Sequence, residues 1–249
     1  MKEEKEEVTP TSNEGIQLNK FLSNSGIASR RNCAEFIKNG LVKVNGKEEK
    51  SPGYRVQPTD AVSYRDKKIE SGKKFYILLN KPKDFITTTS DERGRKTVME
   101  LIQQATDQRV FPVGRLDRNT TGLLLFTNDG ELTQHLTHPS NKVKKVYEVT
   151  LDKDLSMEDM EKIAKGIELE DGLASVDEIA YAHPTENSVV GIELHSGKNR
   201  IVRRIFESLG YEVLKLDRVR YGILTKKDLP RGKWRLLSTY ELNMLRRKN

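Results

Sequence analysis

One stretch, GRLDRNTTGLLLFTNDG at residues 114–130, constrains the fold of this chain more than any other. Residues 122–126 within it carry no polar side chain and stand between two polar turns, a pattern typical of a strand buried in a sheet. Arg115 and Asp117 lie in the turn just before this strand. A charged turn next to a buried strand has two interpretations, a solvated ion pair in a loop or an active site.

The size and charge of the chain point to a nucleic-acid partner. Its 249 residues predict one large domain or two unequal ones, with enough chain to bury a hydrophobic core. There are 44 Lys and Arg residues against 37 Asp and Glu residues, which gives a net charge of +7. This balance favours a polyanion, most often nucleic acid, although an ordinary basic protein has a similar composition.

Composition and spacing argue against several kinds of site. Cys33 is the only cysteine, which excludes an internal disulfide and a cysteine-based zinc cluster. Of the four histidines only His135 and His138 share a helix face, and no nearby acid or cysteine completes a tetrahedral metal site. No glycine-rich loop has Walker or dinucleotide spacing, and no nucleophile elbow is present. We therefore predict no metal and no small-molecule cofactor.

The chain divides by composition into a tail, a small domain, a linker and a larger domain. Residues 1–14 are polar and charged, lack the apolar core of a signal peptide, and are expected to be disordered. Residues 15–64 contain two short amphipathic helices, with Ser29 as a helix cap, and short strands with an Asn-Gly turn. Residues 65–73 are charged and nearly free of apolar side chains, so they are interpreted as a linker. No apolar run approaches the ~18 residues that span a bilayer, so we expect a cytoplasmic protein without membrane contact.

Residues 74–249 form the larger domain, in which strand patterns outnumber helix patterns. The helices interrupt the strands singly, as where VYEVTLD and VVGIELHSG flank the helical pattern SMEDMEKIAKGIEL. This alternation predicts an α+β fold with a mostly antiparallel mixed sheet flanked by helices.

A cluster of basic residues lies around the two short helices and the first strand of the small domain. Such a cluster binds phosphates through its charge, or it is simply a solvated face. The segment LNKFLSNSGIASRRNCAEFIKNGLVKVNG, with its Ser-Arg-Arg helix start and its VKVNG strand and turn, resembles the S4-type RNA-binding domain. The resemblance implies that the basic residues of this domain contact RNA; they are Lys20, Arg30, Arg31, Lys38 and Lys43.

The larger domain resembles the RsuA/RluB branch of bacterial ribosomal-RNA pseudouridine synthases, over roughly residues 73–240. NKPKD is similar to the opening motif of that catalytic domain, and GRLDRNTTGLLLFTNDGEL to its catalytic-aspartate motif. KKVYEV, HSGKNRIVRRIFESLGYEV and LPRGKWRLL are similar to the tyrosine, basic and closing motifs, and they follow in the family's order. A single GRLD would be a weak signal, whereas the ordered set behind an RNA-binding domain is specific.

This resemblance implies a reaction that needs one carboxylate and no cofactor. Conversion of uridine to pseudouridine breaks the N1–C1′ bond, turns the base and joins C5 to C1′, without a redox step. Asp117 takes the role of the catalytic carboxylate, as nucleophile or as base. Arg203 is the expected ion-pair partner of Asp117, with Arg200 as the second candidate. The alternative for Asp117 is that it only caps its own turn.

The resemblance also implies which residues hold the extruded uridine. Tyr147 is expected against the face of the uracil and in proton transfer at C5, although a tyrosine in a strand can simply pack. Arg115 is expected to fill the gap that the uridine leaves when it is flipped out of its stack. Val202 is expected in the wall of the substrate pocket, beside Leu116.

Two positions depart from the motifs of the family. The opening motif usually has a glycine where this chain has Asp84, which puts the usual backbone shape of that loop in doubt. Arg118 follows the catalytic acid at a position that varies in the family.

The segments GRLDRNT and KGIELEDG are closer to the large-subunit RluB type than to the small-subunit RsuA type. We therefore predict a monomeric enzyme that isomerises one uridine of ribosomal RNA, in the 23S molecule. The alternatives are a 16S substrate, a transfer-RNA substrate, or an RNA-binding ribosome-assembly factor whose chemistry is incidental.

Overall fold

The computed structural model describes residues 15–70 and 72–247, so the predicted tail at residues 1–14 lies outside the described part. The chain divides into two compact units, Met1–Lys73 and Lys74–Asn249.

The first unit is built from two short helices and short strands. The helices are α1 (Leu18–Asn24) and α2 (Arg30–Lys38). The strands are β1 (Ile16–Gln17), β2 (Val42–Val44), β3 (Lys47–Glu48), β4 (Arg55–Val56), β5 (Val62–Tyr64) and β6 (Lys67–Ile69).

The two helices bury one face each against the strands. Leu18 and Leu22 of α1 and Cys33 and Ile37 of α2 are fully buried in one cluster, because residues three or four apart share a helix face. The side chain of Ser29 accepts a hydrogen bond from the backbone nitrogen of Asn32, at 3.1 Å, and so caps α2 as predicted.

The predicted linker at residues 65–73 is wrong in part, since β6 lies within it. Strand β6 pairs antiparallel with β5, and the order β3-β2-β5-β6 makes a four-stranded sheet. Arg65 and Asp66 both have positive φ, which is the turn geometry that matches the twist of a two-residue hairpin. Ile69 packs on the core of the unit while the lysines of β6 face solvent, so the charged composition hid a strand.

The second unit has five helices and eleven strands within residues 74–247. The helices are α3 (Val98–Ile102), α4 (Gly130–Thr137), α5 (Met157–Lys165), α6 (Ile201–Ser208) and α7 (Thr239–Arg246), with a 3-10 turn at Pro139–Asn141. The first strands are β7 (Tyr76–Lys81), β8 (Phe111–Pro112), β9 (Thr121–Thr127), β10 (Lys145–Leu151), β11 (Ile167–Leu169) and β12 (Gly172–Ala174). The remaining strands are β13 (Glu178–His183), β14 (Glu186–Leu194), β15 (Val213–Tyr221), β16 (Leu224–Thr225) and β17 (Trp234–Leu236).

One nine-stranded sheet, with the order β13-β14-β10-β15-β9-β7-β17, organises the second unit. Strand β16 pairs with β15, and β8 pairs with β9. All of these pairs are antiparallel except β9 with β15, which is parallel. The predicted α+β fold with a mostly antiparallel mixed sheet is therefore confirmed.

Strand β9, the apolar run of the sequence, is buried on both faces. Leu123 and Leu125 belong to one hydrophobic cluster, and Leu124 and Phe126 belong to another on the opposite face. All four side chains are fully buried. The strand is thus a rigid base for the turn that precedes it.

The parallel contact between β9 and β15 depends on Gly122. This residue has φ +107° and lies opposite Arg218 in the register. A Cβ atom at this position would lie 2.5 Å from the backbone nitrogen of Arg218 and closer still to its carbonyl oxygen. Only glycine allows the two backbones to approach in this way.

Strand β15 contains a bulge opposite β10, between Val146 and Tyr147. Val146 pairs with Arg220, whereas Tyr147 pairs with Arg218, so Val219 is the extra residue. Directly opposed residues of an antiparallel pair project to the same face. The bulge therefore sends Arg218 and Arg220 to opposite faces of the sheet, although they are two residues apart.

No helix of residues 15–70 or 72–247 is long and apolar enough to cross a membrane.

Candidate active site

Asp117 lies in the turn that leads into β9. The backbone nitrogen of Thr120 donates to the carbonyl oxygen of Asp117, at 3.1 Å, which closes the turn. The hydroxyl of Thr87 donates to the carbonyl oxygen of Leu116 at 2.7 Å and accepts from its nitrogen at 3.2 Å. Leu116 itself is buried in a cluster with residues of β7 and β9. The backbone on both sides of Asp117 is therefore fixed.

Lys81 donates hydrogen bonds to the backbone of the same turn. It was not predicted as a site residue. Its side chain is fully buried, and its ammonium donates to the carbonyl oxygens of Asp117, Arg118 and Thr120 at 3.1, 3.1 and 2.8 Å. Burial lowers the pKa of Lys81 to about 8, although the Asp117 and Asp84 carboxylates oppose that shift. The sequence signal for this role is a lysine that ends an apolar strand just before a proline.

A cavity of about 210 Å³ opens beside this turn, and most of the predicted site residues line it. They come from the turn before β9, from β10, and from the start of α6; they are Arg115, Leu116, Asp117, Tyr147, Arg200 and Val202. Val202 is buried in the wall of this cavity. Arg203 does not line the cavity.

The ion pair of Asp117 involves Arg200, so the prediction that Arg203 is its partner is wrong in this structure. Arg200 Nη1 lies 3.8 Å from Asp117 Oδ2, and the two side chains are 45% and 42% exposed. Arg203 Nη1 instead donates to the carbonyl oxygen of Val213 at 2.7 Å. Burial lowers the pKa of Arg203, the Arg200 charge adds to that shift, and the Asp117 charge opposes it. Arg200 has φ +48° at the N-cap of α6, and its Nη2 also donates to Glu207 Oε1 of that helix at 3.3 Å.

Arg115 is exposed at the rim of the cavity. Its side chain forms no hydrogen bond or ion pair with the described part of the chain. It is therefore free to contact a ligand.

Tyr147 lies in β10, half-buried, between the two hydrophobic clusters that flank the site. Its partner in β15 is Arg218, and Lys145 projects from the same face of β10 two residues earlier. Both of these cations line the cavity, and neither was predicted.

Lys145, half-buried, and Arg218, buried, are a pair of cations that line the cavity. Lys145 Nζ donates to the carbonyl oxygen of His195 at 3.1 Å, and burial together with the Arg218 charge lowers the pKa of Lys145 to about 8. Arg218 Nε donates to the carbonyl oxygen of Leu123 at 2.8 Å, while its Nη2 is buried without a hydrogen-bond partner in the described residues. Polar groups buried in this way are costly unless a ligand or solvent satisfies them.

Asp84, at the position of the family's glycine, has a backbone conformation that glycine adopts readily. It adopts φ +69°, in the left-handed region that a glycine would occupy. Its nitrogen donates to the carbonyl oxygen of Arg118 at 3.0 Å, and its carboxylate lies 3.2 Å from the Arg118 guanidinium. The two departures from the family's motifs therefore contact each other.

The basic residues predicted to bind RNA in the first unit differ in their contacts. Lys38 pairs with Glu35, and Lys43 pairs with Asp66. Arg30 donates to the side chains of Gln17 and Asn19. Within the part of the chain that the structure describes, the side chains of Lys20 and Arg31 form no such contacts.

Comparison with known proteins decides the family. Residues 75–208, more than half of the chain, match the family model for RNA pseudouridylate synthases, and residues 17–62 match the model for the S4 domain. The chain belongs to the RNA pseudouridylate synthase family. It is an enzyme, an isomerase that acts on RNA, with an S4 domain in its first unit.

Relatives of this synthase cover almost its whole length. It is 38% identical to the ribosomal large subunit pseudouridine synthase B of Bacillus subtilis, over 92% of this chain and 95% of that protein. It is 39% identical to the protein of the same name from Vibrio cholerae, over 92% of this chain and 74% of that protein. A crystal structure of a pseudouridylate synthase, 26% identical, superposes with a TM-score of 0.63 over 93% of this chain and 100% of that one.

Among the described residues of the synthase, no group of histidine, cysteine or acidic side chains is arranged to hold a metal ion.

Proposed function

We propose that this enzyme converts one uridine of 23S ribosomal RNA to pseudouridine, with Asp117 as its catalytic carboxylate. The observation that carries the proposal is the position of Asp117: a half-exposed carboxylate on a rigid turn at a cavity that Tyr147 and Arg115 also line. The large-subunit names of the Bacillus subtilis and Vibrio cholerae relatives support 23S RNA as the substrate.

The arrangement supports an acid that acts on a base removed from its stack. Asp117 reaches the sugar or the uracil as nucleophile or base, and Arg200 places a positive charge beside it. Tyr147 offers the face of its ring to the uracil from the wall of the cavity. Arg115 enters the space that the extruded nucleotide leaves, which requires the unpaired and exposed side chain that this arginine has.

The first unit supplies affinity for RNA. Lys20 and Arg31 have charges that no carboxylate of the described residues neutralises, so they carry the largest part of the phosphate contact. Lys38, Lys43 and Arg30 exchange their local partners for phosphate oxygens when RNA is bound. The S4 domain thus binds the RNA and the second domain converts the uridine. We propose that the enzyme acts as a monomer.

Mapping pseudouridine in the 16S and 23S RNA of a deletion strain tests the substrate. Carbodiimide modification followed by primer extension stops at each pseudouridine, and we expect one stop in 23S RNA to vanish. The wild-type enzyme should restore it, and the Asp117→Asn variant should not. A stop lost from 16S RNA, or no loss in either RNA, would overturn the 23S assignment. Restoration of the stop by Asp117→Asn would overturn the role of Asp117.

A further inference from the structure

We infer that Lys145 and Arg218 form a subsite for the carbonyl oxygens of the flipped uracil, where they stabilise the negative charge of the base once it is detached from the ribose. The inference rests on the proposed function, because it concerns the substrate of the same cavity.

The two faces of strands β10 and β15 show why these cations are unusual. On one face Lys144 and Arg220 both bind the buried carboxylate of Glu193, at 2.6 and 2.8 Å. On the other face Lys145 and Arg218 each donate to a carbonyl oxygen and lie over the ring of Tyr221, and neither forms an ion pair with a carboxylate of the described residues. The same pair of strands thus neutralises the cations on one face and leaves two without a counter-charge on the other.

Arg218 is buried and Lys145 is half-buried, so the missing counter-charge is costly. Arg218 is 4% exposed, and its Nη2 has no hydrogen-bond partner among the described residues. A buried cation with a second, half-buried cation beside it destabilises the fold unless a ligand supplies an anion. The protein therefore keeps this pair for something that enters the cavity.

The geometry places that ligand against Tyr147. Arg218 lies directly across from Tyr147, and Lys145 is the next residue on the same face of β10. Opposed side chains in neighbouring strands have Cβ atoms about 5 Å apart. A uracil that lies on the ring of Tyr147 would therefore direct one edge towards both cations.

The shape of the cavity favours a base over a phosphate. Its walls near the two cations are formed by Leu136, Leu216 and the buried ring of Tyr221. Uracil has apolar faces, which fit the apolar walls of the cavity. Its edge carries O2 and O4, which can accept hydrogen bonds from Lys145 and Arg218. A phosphate is hydrated on all sides and stays with the RNA backbone at the open rim, where Arg115 and Lys198 lie.

The chemistry supplies the negative charge that the site lacks. When the N1–C1′ bond breaks, its electron pair leaves with the base, and the resulting uracil anion spreads its charge over N1, O2 and O4. C1′ is left electron-poor, and either the Asp117 carboxylate bonds to it or Asp117 takes a proton from the neighbouring C2′. C5 of the turned base then bonds to C1′ while the C1′–O bond to Asp117 breaks and returns its electron pair to the carboxylate, or while Asp117 returns the proton to C2′. C5 loses its hydrogen as a proton and N1 gains a proton, so atoms and electrons balance without an oxidant. Lys145 and Arg218 stabilise the anion between these two steps.

The test compares cations on the two faces of the same strands. Lys145→Gln and Arg218→Gln remove the subsite, and Lys144→Gln and Arg220→Gln are matched controls on the opposite face. Each enzyme, in excess, is mixed with 23S RNA from the deletion strain, labelled with tritium at uracil C5, and tritium release gives the rate of one turnover. We expect about a hundredfold loss of rate for Lys145→Gln and Arg218→Gln, and less than twofold for the controls.

Binding and folding are measured on the same variants. Because the charge develops only after the bond breaks, the dissociation constant for RNA should change less than about threefold while the rate falls. Arg218 also donates to the backbone of β9, so thermal unfolding is recorded for each protein. If Arg218→Gln does not fold, the rate of Lys145→Gln alone tests the inference. A rate of Lys145→Gln within threefold of wild type overturns the inference. So does a loss that lies wholly in RNA binding, which would assign the cations to a phosphate.

The pH dependence separates an electrostatic role from a packing role. Lys145 faces Arg218 and Tyr221 of β15 and feels the carboxylate of Asp177, which is paired with His195. The ammonium is the active form, so the single-turnover rate should fall as pH rises through about 8. The Lys145→Arg variant should keep its rate to higher pH, and the rate of Lys145→Gln should show no fall near pH 8. If the rate of Lys145→Gln falls near pH 8 as the wild-type rate does, the inference is contradicted. If the wild-type enzyme forms no pseudouridine, the proposed function is contradicted instead.

Discussion

Two aspartates near the start of β9 have opposite surroundings. Asp217, in β15 opposite Thr121, has a side chain only 12% exposed. Both of its oxygens are bound by Arg231 at 2.9 Å, with Lys226 and Thr121 as further donors. Asp117, four residues before Thr121, is 42% exposed and has one cation at 3.8 Å. Asp217 therefore has a structural role, whereas the carboxylate of Asp117 stays accessible, as its proposed catalytic role requires.

The contacts of Asp217 extend beyond its own strand. Arg231 also donates to Asn80 Oδ1 at 2.6 Å, so the carboxylate joins the loop before β17 to strand β7. Burial alone would raise the pKa of Asp217, but the hydrogen bonds from Arg231, Lys226 and Thr121 outweigh it and lower the pKa to about 2. A carboxylate with all its acceptor sites occupied in this way has none left for chemistry.

The largest effect that we expect comes from Asp117→Asn. The variant should lose pseudouridine formation by at least about a thousandfold, because the only carboxylate at the turn is replaced by an amide of the same shape. Its melting temperature should stay within about 1 °C of wild type, since an exposed ion pair contributes little. Tritium release and calorimetry measure the two quantities. Activity above about a tenth of wild type would show that Asp117 is not the catalytic residue.

The second-largest effect concerns Gly122, where β9 approaches β15 and Asp217 lies opposite Thr121. Gly122→Ala should lower the free energy of unfolding by about 3 kcal/mol or more, because it adds both a positive-φ strain and a clash with the backbone of Arg218. The matched control is Gly210→Ala, which has φ +79° and open space around the added methyl group. The control should lose only about 1 kcal/mol in urea titration. Equal losses in both variants would mean that the close approach of β9 and β15 is not required.

Asp217→Asn should reverse the pattern of Asp117→Asn. Its loss of about 2 kcal/mol in the free energy of unfolding reflects the lowered pKa of Asp217. Because the folded pKa lies below the unfolded value of about 3.9, the stabilisation is complete above pH 4 and is lost as pH falls towards 2. Unfolding curves at pH 7, 4 and 2.5 should show the difference between wild type and variant shrinking with acidification. A constant difference across this range would contradict the linkage.

The smallest effects separate the two arginines of the basic motif. Arg200→Gln should lower the single-turnover rate by up to about fivefold, since exposed ion pairs contribute at most about 1 kcal/mol. Arg203→Gln should instead lower the melting temperature, because its hydrogen bond to the Val213 carbonyl is lost. A large rate loss for Arg203→Gln with normal stability would show that Arg203 moves to Asp117 when RNA binds.

The amino-acid pattern predicted the parts of the fold that local chemistry determines. The buried strand β9, the capped helix α2 and the turn with Asp117 all follow from apolar runs and capping residues. Helix α7 was not predicted, although Ser238 and Glu241 form the capping box that starts it. Strand β6 was missed because its two lysines face solvent and only Ile69 packs inward.

The parts of the site that the pattern could not give depend on backbone geometry between distant segments. Spacing in IVRR does not reveal that Arg200 takes a left-handed conformation and reaches Asp117. Regular alternation in LDRVRY would place Arg218 and Arg220 on one face, whereas the bulge separates them. In the sequence Lys81 resembles a surface lysine, because three of its four carbonyl partners are 36 or more residues away.

The contact between Asp84 and Arg118 has an evolutionary consequence. Each residue is one of the two departures of this chain from its family's motifs, and each is the other's partner. A glycine at position 84 needs no side chain to support its positive φ, and then position 118 has no carboxylate to bind. We therefore expect acidic residues at the first position to accompany basic residues at the second across the family.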